Sequence, residues 1–416
     1  MLHIGSRRMA KGQRGRGTLK GTSKARVAVV HPGMAMGGSE SPVLWTLQAL
    51  KDDYDVTLIT TGEVDLARLN IYYGTRLVPE DFSVQYVPLP FGLRSTEKLV
   101  GLKGSFFQRC VRRVAADFDV MISCYGPMDF GRHGIQMIAD FAFVDELRFS
   151  LHPGVRSWKR WWYGRSPLRQ LYLHICGIVN GASPGGWKRN LNLANSDWSA
   201  KLLRERFGVE SQTLYPPVET DFPSIDFAKR DNGFVCLGRI SAEKRVDAII
   251  GILSRVRQRG NDIHLHVLGG VDDSPYGAGV KSLAEQNREW VFLEGWAIGG
   301  EKKKLLASHR YGIHGRENEP FGIAVGEMVN AGCIVFVPNG GGQVEIVDQP
   351  ALVFRDDADA VEKIDAVLKS TAEQERLRHQ LRQGATRFAP QAFQAQIHQV
   401  VRDFLKEQAA VSPQRR

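Results

Sequence analysis

The sequence predicts an α/β protein built from two Rossmann-like, doubly wound parallel-sheet domains facing a central cleft. Three observations carry that prediction. Short apolar runs alternate with helix-length amphipathic segments, and they do so in two successive series. Gly-rich loops lie where strands hand over to helices, the edge at which open α/β sheets hold ligands. A stiff Tyr215-Pro216-Pro217 separates the two series, as suits a domain junction. A chain of 416 residues is ample for two such cores. The expected divisions are a basic, disordered tail over 1–24, a first Rossmann-like domain over 25–215 and a second over 216–388. Residues 389–416 then give a helix packing back across the junction and a short basic tail.

The elements follow in order. Arg26–Val30 reads as an apolar strand ending in His31-Pro32-Gly33; Gly37-Gly38 precede Ser39-Glu40, a helix start, and the helix ends near Lys51. Asp55–Thr60 is the next strand. SVQYVPLP and DVMISCYG supply further strands, with the basic helical stretch 93–114 between them, and IQMIADFAF another. In the second series GFVCLGRI, IHLHVLGG, WVFLEGW, YGIHG and IVFVPNGGG read as strands. Helices are expected over Asp247–Arg259, around Ser282–Arg288, over Glu301–Ser308, within EPFGIAVGEMVNAG and around Gln391–Leu405.

Composition excludes several classes. No apolar run approaches the ~20 residues of a membrane helix, and the chain does not open with the apolar core of a secretory signal. Five scattered cysteines (Cys110, Cys124, Cys176, Cys236, Cys333) fit a reducing cytoplasm rather than a disulfide or zinc framework. The net charge of +10 suggests nucleic acid, yet residues 1–24 carry seven Lys or Arg and no acid, leaving the body at +3. Nucleic acid is therefore not the expected partner. The stretches 93–114 and 156–181 mix Arg and Lys with Phe, Trp or Tyr, the make-up of a surface that meets anionic lipid.

The cleft residues are read from their chemistry. Arg239 and Lys244, near one helix start, form a clamp suited to a diphosphate, or else are two solvated charges. Gly37 and Gly38 let the backbone approach a ligand closely; the spacing matches neither G-x-G-x-x-G nor a P-loop. With Pro320 at a first helical position, the N–H groups of Phe321, Gly322 and Ile323 would point into the cleft. Glu327 would take two ribose hydroxyls, and Glu319 the hydroxyls of a sugar. On this reading both carboxylates find polar partners only when a nucleotide sugar is bound.

In chain order GGSE, NSDWSAKLLRERFGV with YPPVE, GRISAEKRVD and ENEPFGIAVGEMVNAG resemble the retaining, family-4-type glycosyltransferases of the GT-B fold, over roughly residues 25–390. The resemblance implies transfer of a sugar from a UDP- or GDP-linked donor, used as co-substrate with no cofactor and no metal, to a glycan or lipid-linked acceptor. It places Arg239 and Lys244 on the diphosphate, Glu327 on the ribose, Glu319 on the donor sugar, Pro320–Ile323 against the phosphates, and Gly37 and Gly38 on the facing side. Relatives carry a first-domain histidine where this chain has Ala139-Asp140. Asp140 or His152 is the candidate replacement, and Asp140 would orient a donor hydroxyl or the acceptor. Glu319 is not a nucleophile, since a front-face displacement needs none. Asp53-Tyr54-Asp55 has the letters of a metal-binding motif but falls at the wrong sheet end. Base recognition is expected around Glu294–Ala297. A nucleotide-sugar epimerase, a catalytically silent relative and a basic nucleic-acid binder remain the alternatives. A cytoplasmic location, with an anionic membrane surface as a further partner, completes the expectation.

Overall fold

Parallel pairing needs both faces of a sheet covered, so its strands read as continuous apolar runs. The computed structural model of the protein has that character in both halves. It describes residues 24–94, 99–141, 143, 144, 147, 151 and 166–411; the basic tail to Ser23, His152 and the Trp-rich stretch 156–165 lie outside the described residues. Among these, β1 (Arg26–Val30), β2 (Asp55–Thr60), β3 (Ser83–Tyr86), β4 (Val120–Ser123), β5 (Ile135–Ile138), β6 (Leu191–Ala194) and β7 (Gln212–Thr213) form a parallel sheet in the order β3-β2-β1-β4-β5-β6-β7. The second sheet, β8 (Asp231–Leu237), β9 (His264–Leu268), β10 (Val291–Gly295), β11 (His309–Ile313), β12 (Ile334–Pro338) and β13 (Val353–Phe354), runs β10-β9-β8-β11-β12-β13. The first six strands of each sheet thus share one topology.

That shared order places a topological switch point between β1 and β4 in one sheet and between β8 and β11 in the other. At such a point neighbouring loops leave in opposite directions and open a crevice at the strand C-termini. The buried runs around it are nearly dry: Val27–Val30, Val120–Ile122, Phe234, Val235 and Ile334–Val337 are at most 1 % exposed.

Several sequence expectations shift. The helix expected around Ser282–Arg288 spans Pro275–Gln286, because Ser274 Oγ accepts from Gly277 N and Pro275 fixes the first turn. Strands β6, β7 and β13 and the helices Asp357–Leu368 and Thr371–Ala385 went unassigned. Of the phenylalanines in 93–114, Phe107 is buried and Phe106 is partly buried beside it against the first domain's core.

The last helix, Pro390–Val411, follows the second domain in sequence but inserts Phe393, Ile397, Val401 and Phe404 among Val43, Leu47 and Leu50 of the first. Its His398 also bonds Asp53 at 2.8 Å, which occupies the Asp-x-Asp letters at the N-terminal end of β2. Replacing Phe404 with alanine is expected to cost about 3–5 kcal/mol in urea unfolding, as for other fully buried phenylalanines. A cost below about 1 kcal/mol would mean that this helix contributes little to the first domain.

Candidate functional site

Glu319 is the centre of the second-domain edge. It follows β11 and is 9 % exposed, and a buried carboxylate is tolerated only with strong partners. Lys244 Nζ lies 2.7 Å from Oε2, Arg316 Nη1 3.0 Å from Oε1, and His314 Nε2 3.3 Å from Oε2. Burial opposes ionisation of Glu319, but Lys244, His314 and Arg316 outweigh it and hold the carboxyl well below its usual range. Burial, with Lys244 nearby, keeps the His314 imidazole neutral, so its N–H donates to the carboxylate.

The glycine loop after β12 supports this edge. Gly342 N donates to the Glu319 carbonyl at 2.9 Å, and Gln343 Nε2 donates to Arg316 O at 2.9 Å. A Cβ on Gly341 would lie 2.3 Å from the Glu319 carbonyl oxygen, and one on Gly342 2.3 Å from that of Pro320. Only glycine fits at either position, so Asn339–Gly342 is a mould for the segment that presents Glu319.

Several readings from sequence change here. Both glutamates already have protein partners: Glu319 as above, and Glu327 with Lys302 Nζ at 3.0 Å. Pro320 is not at a first helical position, because the helix spans Ile323–Asn330 with Gly322 as its cap at φ 102°. The first-turn amides without an intrahelical acceptor are therefore those of Ile323, Ala324 and Val325. Phe321 turns inward, its ring 5.9 Å from Tyr215 and 5.5 Å from Phe388, so only its backbone borders the cleft. Arg239 and Lys244 also part company. Lys244 joins the Glu319 cluster, while the Arg239 side chain is 64 % exposed and, among the described residues, lies 3.8 Å from Glu243. Glu294 is committed to His266 at 2.6 Å, whereas Trp296 is exposed with its indole N–H over Gly270.

Across the cleft, the loop after β1 supplies the facing wall. A Cβ on Gly38 would lie 3.8 Å from Ile323 Cδ1, so this glycine opposes the start of the Ile323–Asn330 helix. Tyr73 OH donates to Gly37 O at 2.6 Å and fixes the turn. Glu40 is buried beside it, accepting from Ser39 Oγ at 2.9 Å, and burial raises its pKa. His31, at the end of β1, is pushed down to about 4 by burial; its Nδ1 meets Gly33 O, and its Nε2 is buried without a hydrogen-bond partner. Tyr125, after β4, places its ring 5.3 Å from that of His31. Asp140 lies exposed just past β5; burial raises the pKa of Tyr125, and the nearby charges of Asp140 and Glu40 add to the rise.

The two walls are also bonded. Ser196 Oγ donates to Pro320 O at 2.6 Å while accepting from Ser199 N, so one hydroxyl caps a first-domain helix and holds the Glu319–Gly322 segment. Glu345 takes the backbone N–H groups of Asp197 and Trp198 at 3.0 and 2.8 Å, capping that same helix from the other domain. Sequence reasoning singled out none of His314, Arg316, Lys302, Ser196, Glu345, His31 or Glu40. His314 and His31 carried a readable signal, each ending a strand at the ligand edge. Lys302 carried none within Glu301-Lys302-Lys303-Lys304.

Comparisons with known proteins agree with this architecture. Residues 217–387 match the family model described as Glycosyl transferases group 1. The chain is 22% identical over 428 residues to the GDP-Man:Man(3)GlcNAc(2)-PP-Dol alpha-1,2-mannosyltransferase of Xenopus tropicalis, covering 90% of this chain and 86% of that protein. It is 23% identical over 419 residues to an alpha-1,3/1,6-mannosyltransferase of Homo sapiens, covering 92% and 97%. Sucrose-phosphate synthase from Thermosynechococcus elongatus superposes with a TM-score of 0.69 at 14% identity, over 92% of this chain and 100% of that one, a likeness of fold.

Replacing Glu319 with glutamine leaves Lys244 and Arg316 without their counter-charge, and a loss of about 3 kcal/mol is expected in urea unfolding at pH 7. Because the folded pKa of Glu319 lies below its ordinary 4.5, this stability is fully present above pH 4.5 and lost as pH falls through the folded value. The gap between wild type and variant should therefore stay constant from neutral pH towards pH 5 and narrow below 4.5. A constant gap down to acid unfolding would contradict the charged assignment.

Proposed function

We propose, on the premise that the chain is a GT-B glycosyltransferase whose residues 217–387 form a group 1 glycosyl transferase domain, that it transfers a hexose from a nucleoside diphosphate to a lipid-linked glycan. The transfer retains anomeric configuration and uses no metal. One observation carries the reading: the two switch-point crevices face each other, with Gly38 against the Ile323–Asn330 helix start and the Lys244–Glu319–Arg316 cluster on the rim. A cationic rim beside a helix N-terminus suits a diphosphate.

The chemistry follows from charge. The bond from the anomeric carbon to the β-phosphate oxygen breaks, and its electron pair stays on that oxygen. The acceptor hydroxyl bonds to the same face of the sugar and passes its proton to the departing phosphate. Lys244, Arg239 and the amides opening the Ile323–Asn330 helix stabilise the developing charge, each by about 2–4 kcal/mol. Arg239, free of strong protein partners, closes on the diphosphate. Lys302 holds Glu327 through Oε1, leaving Oε2 for the ribose. Glu319 keeps acceptor capacity for a donor-sugar hydroxyl, and Asp140 orients the sugar or acceptor from the first domain. The names of the two mannosyltransferase relatives make GDP-mannose the first donor to try.

A lipid-borne acceptor is supported by the helix Pro167–Asn180. Leu168, Leu171, Ile175 and Ile178 are exposed on it at helical spacing, one apolar face beside the basic helix Val100–Val114. Arg112 holds that arrangement by donating to Asn180 O at 2.7 Å. No helix among the described residues is long and apolar enough to cross a membrane.

Thermal shift with GDP, UDP and ADP tests the donor site. One nucleotide at 100 times its dissociation constant should stabilise the protein by about 2.7 kcal/mol, and Glu327→Ala should abolish the shift. Arg239→Ala should lower kcat with the matching sugar nucleotide by about 10²–10³; an unchanged rate would remove Arg239 from the diphosphate. For the acceptor side, wild type should sediment with anionic vesicles at low salt. Leu171→Glu with Ile175→Glu should stay in the supernatant and keep GDP binding. Equal sedimentation of the two proteins would discard this helix as the membrane face.

A further inference from the structure

At the opposite edge of the second sheet, away from the cleft, three histidines converge. His264 and His266 alternate on one face of β9, and His309 opens β11 two strands away, across β8. The intervening strand makes their meeting feasible: Gly233 on β8 is paired with His264, and a Cβ there would lie 2.2 Å from His264 Nε2. The imidazole occupies the space a side chain would take and reaches across, placing His264 Nε2 3.1 Å from His309 Nε2. One ligand nitrogen from each of the three rings lies within 4.8 Å of the others.

The outer nitrogens are held in the way metal-binding histidines require. His309 Nδ1 donates to Leu305 O at 2.8 Å, which fixes its tautomer and leaves the Nε2 lone pair facing the cluster. His266 Nδ1 meets Glu294 Oε1 at 2.6 Å, a carboxylate–histidine pair that turns Nε2 to the same purpose. Phe292 stacks on His266, ring centroids 4.8 Å apart, and walls the other side. Tetrahedral coordination with bonds of about 2.0–2.1 Å sets nitrogens about 3.3 Å apart. The His264–His309 pair is already at that spacing, and the half-buried His266 has only to swing inward.

We propose that His264, His266 and His309 form a binding site for a borderline transition-metal dication, Zn²⁺ foremost, with a fourth position open to water or Glu294. Imidazole donors favour such ions over Mg²⁺ or Ca²⁺. The site joins β9 to β11, and β10 through Glu294, and so stabilises the donor domain. Its His309 lies at the N-terminal end of β11, about 16 Å of strand from His314, and none of the three histidines enters the transfer reaction.

The test uses the untagged full chain, stripped with chelator and titrated with Zn²⁺. One equivalent should bind and raise the melting temperature by about 5 °C, while Mg²⁺ and Ca²⁺ leave it unchanged. Co²⁺ should give the visible absorption of a tetrahedral site. His266→Asn should lose the shift and the Co²⁺ band while the chelator-treated protein remains folded and its GDP binding stays within error of wild type. His309→Asn should lose both signals as well. No Zn²⁺-dependent shift in wild type, or a stoichiometric shift surviving in His266→Asn, would overturn the proposal.

Discussion

A carboxylate buried where two sheets face each other must find strong partners, and Glu319 finds two cations, Lys244 and Arg316, and the N–H of a neutral imidazole, His314. Lys244 arrives from the loop after β8, while His314 and Arg316 arrive from the loop after β11. These loops flank the switch point of the second sheet, so satisfying one oxygen pair fixes both lips of the crevice relative to each other. The glycine mould from β12 then has a defined surface to close on. Removing the charge would loosen more than one contact, because the cluster stands in place of the backbone bonds that loops lack.

The same economy joins the domains. The segment after Glu319 is held by Ser196 from the first domain, and Glu345 caps the helix that Ser196 begins. Burial raises the pKa of Glu345, yet the two helix amides and Tyr215 OH satisfy it. The two walls of the cleft are therefore registered through a helix terminus.

The fold was legible because buried parallel strands advertise themselves as unbroken apolar runs, and Arg26–Val30 and Asp55–Thr60 are found as read. Strands of two residues, such as β7 and β13, carry too little pattern to see. The glutamates of the EPFG segment stood out, but their partners did not. Lys302 is 25 residues from Glu327 and Lys244 is 75 from Glu319, separations across which only the folded topology selects a partner. Pro320 misled because its fixed φ suits a helix start, whereas Gly322, in a conformation barred to other residues, postpones that start to Ile323. His-x-His on β9 was visible as letters; the glycine on β8 that lets it reach β11 has meaning only once the strands are ordered.

The chain passes between the domains twice, at Tyr215–Val218 and again before Pro390, and the two passages touch. Val218 N donates to Phe388 O at 2.9 Å, and the Phe388 ring meets Tyr215 at 4.9 Å and Phe321 at 5.5 Å. Two strands of backbone pinned side by side act as a pivot: they permit rocking about their line and resist sliding and twist. Phe321 sits on that pivot, one residue from Gly322, the cap of the Ile323–Asn330 helix that borders the cleft. Any rocking that widened the cleft would therefore be geared, at its fulcrum, to the backbone that opens the Ile323–Asn330 helix.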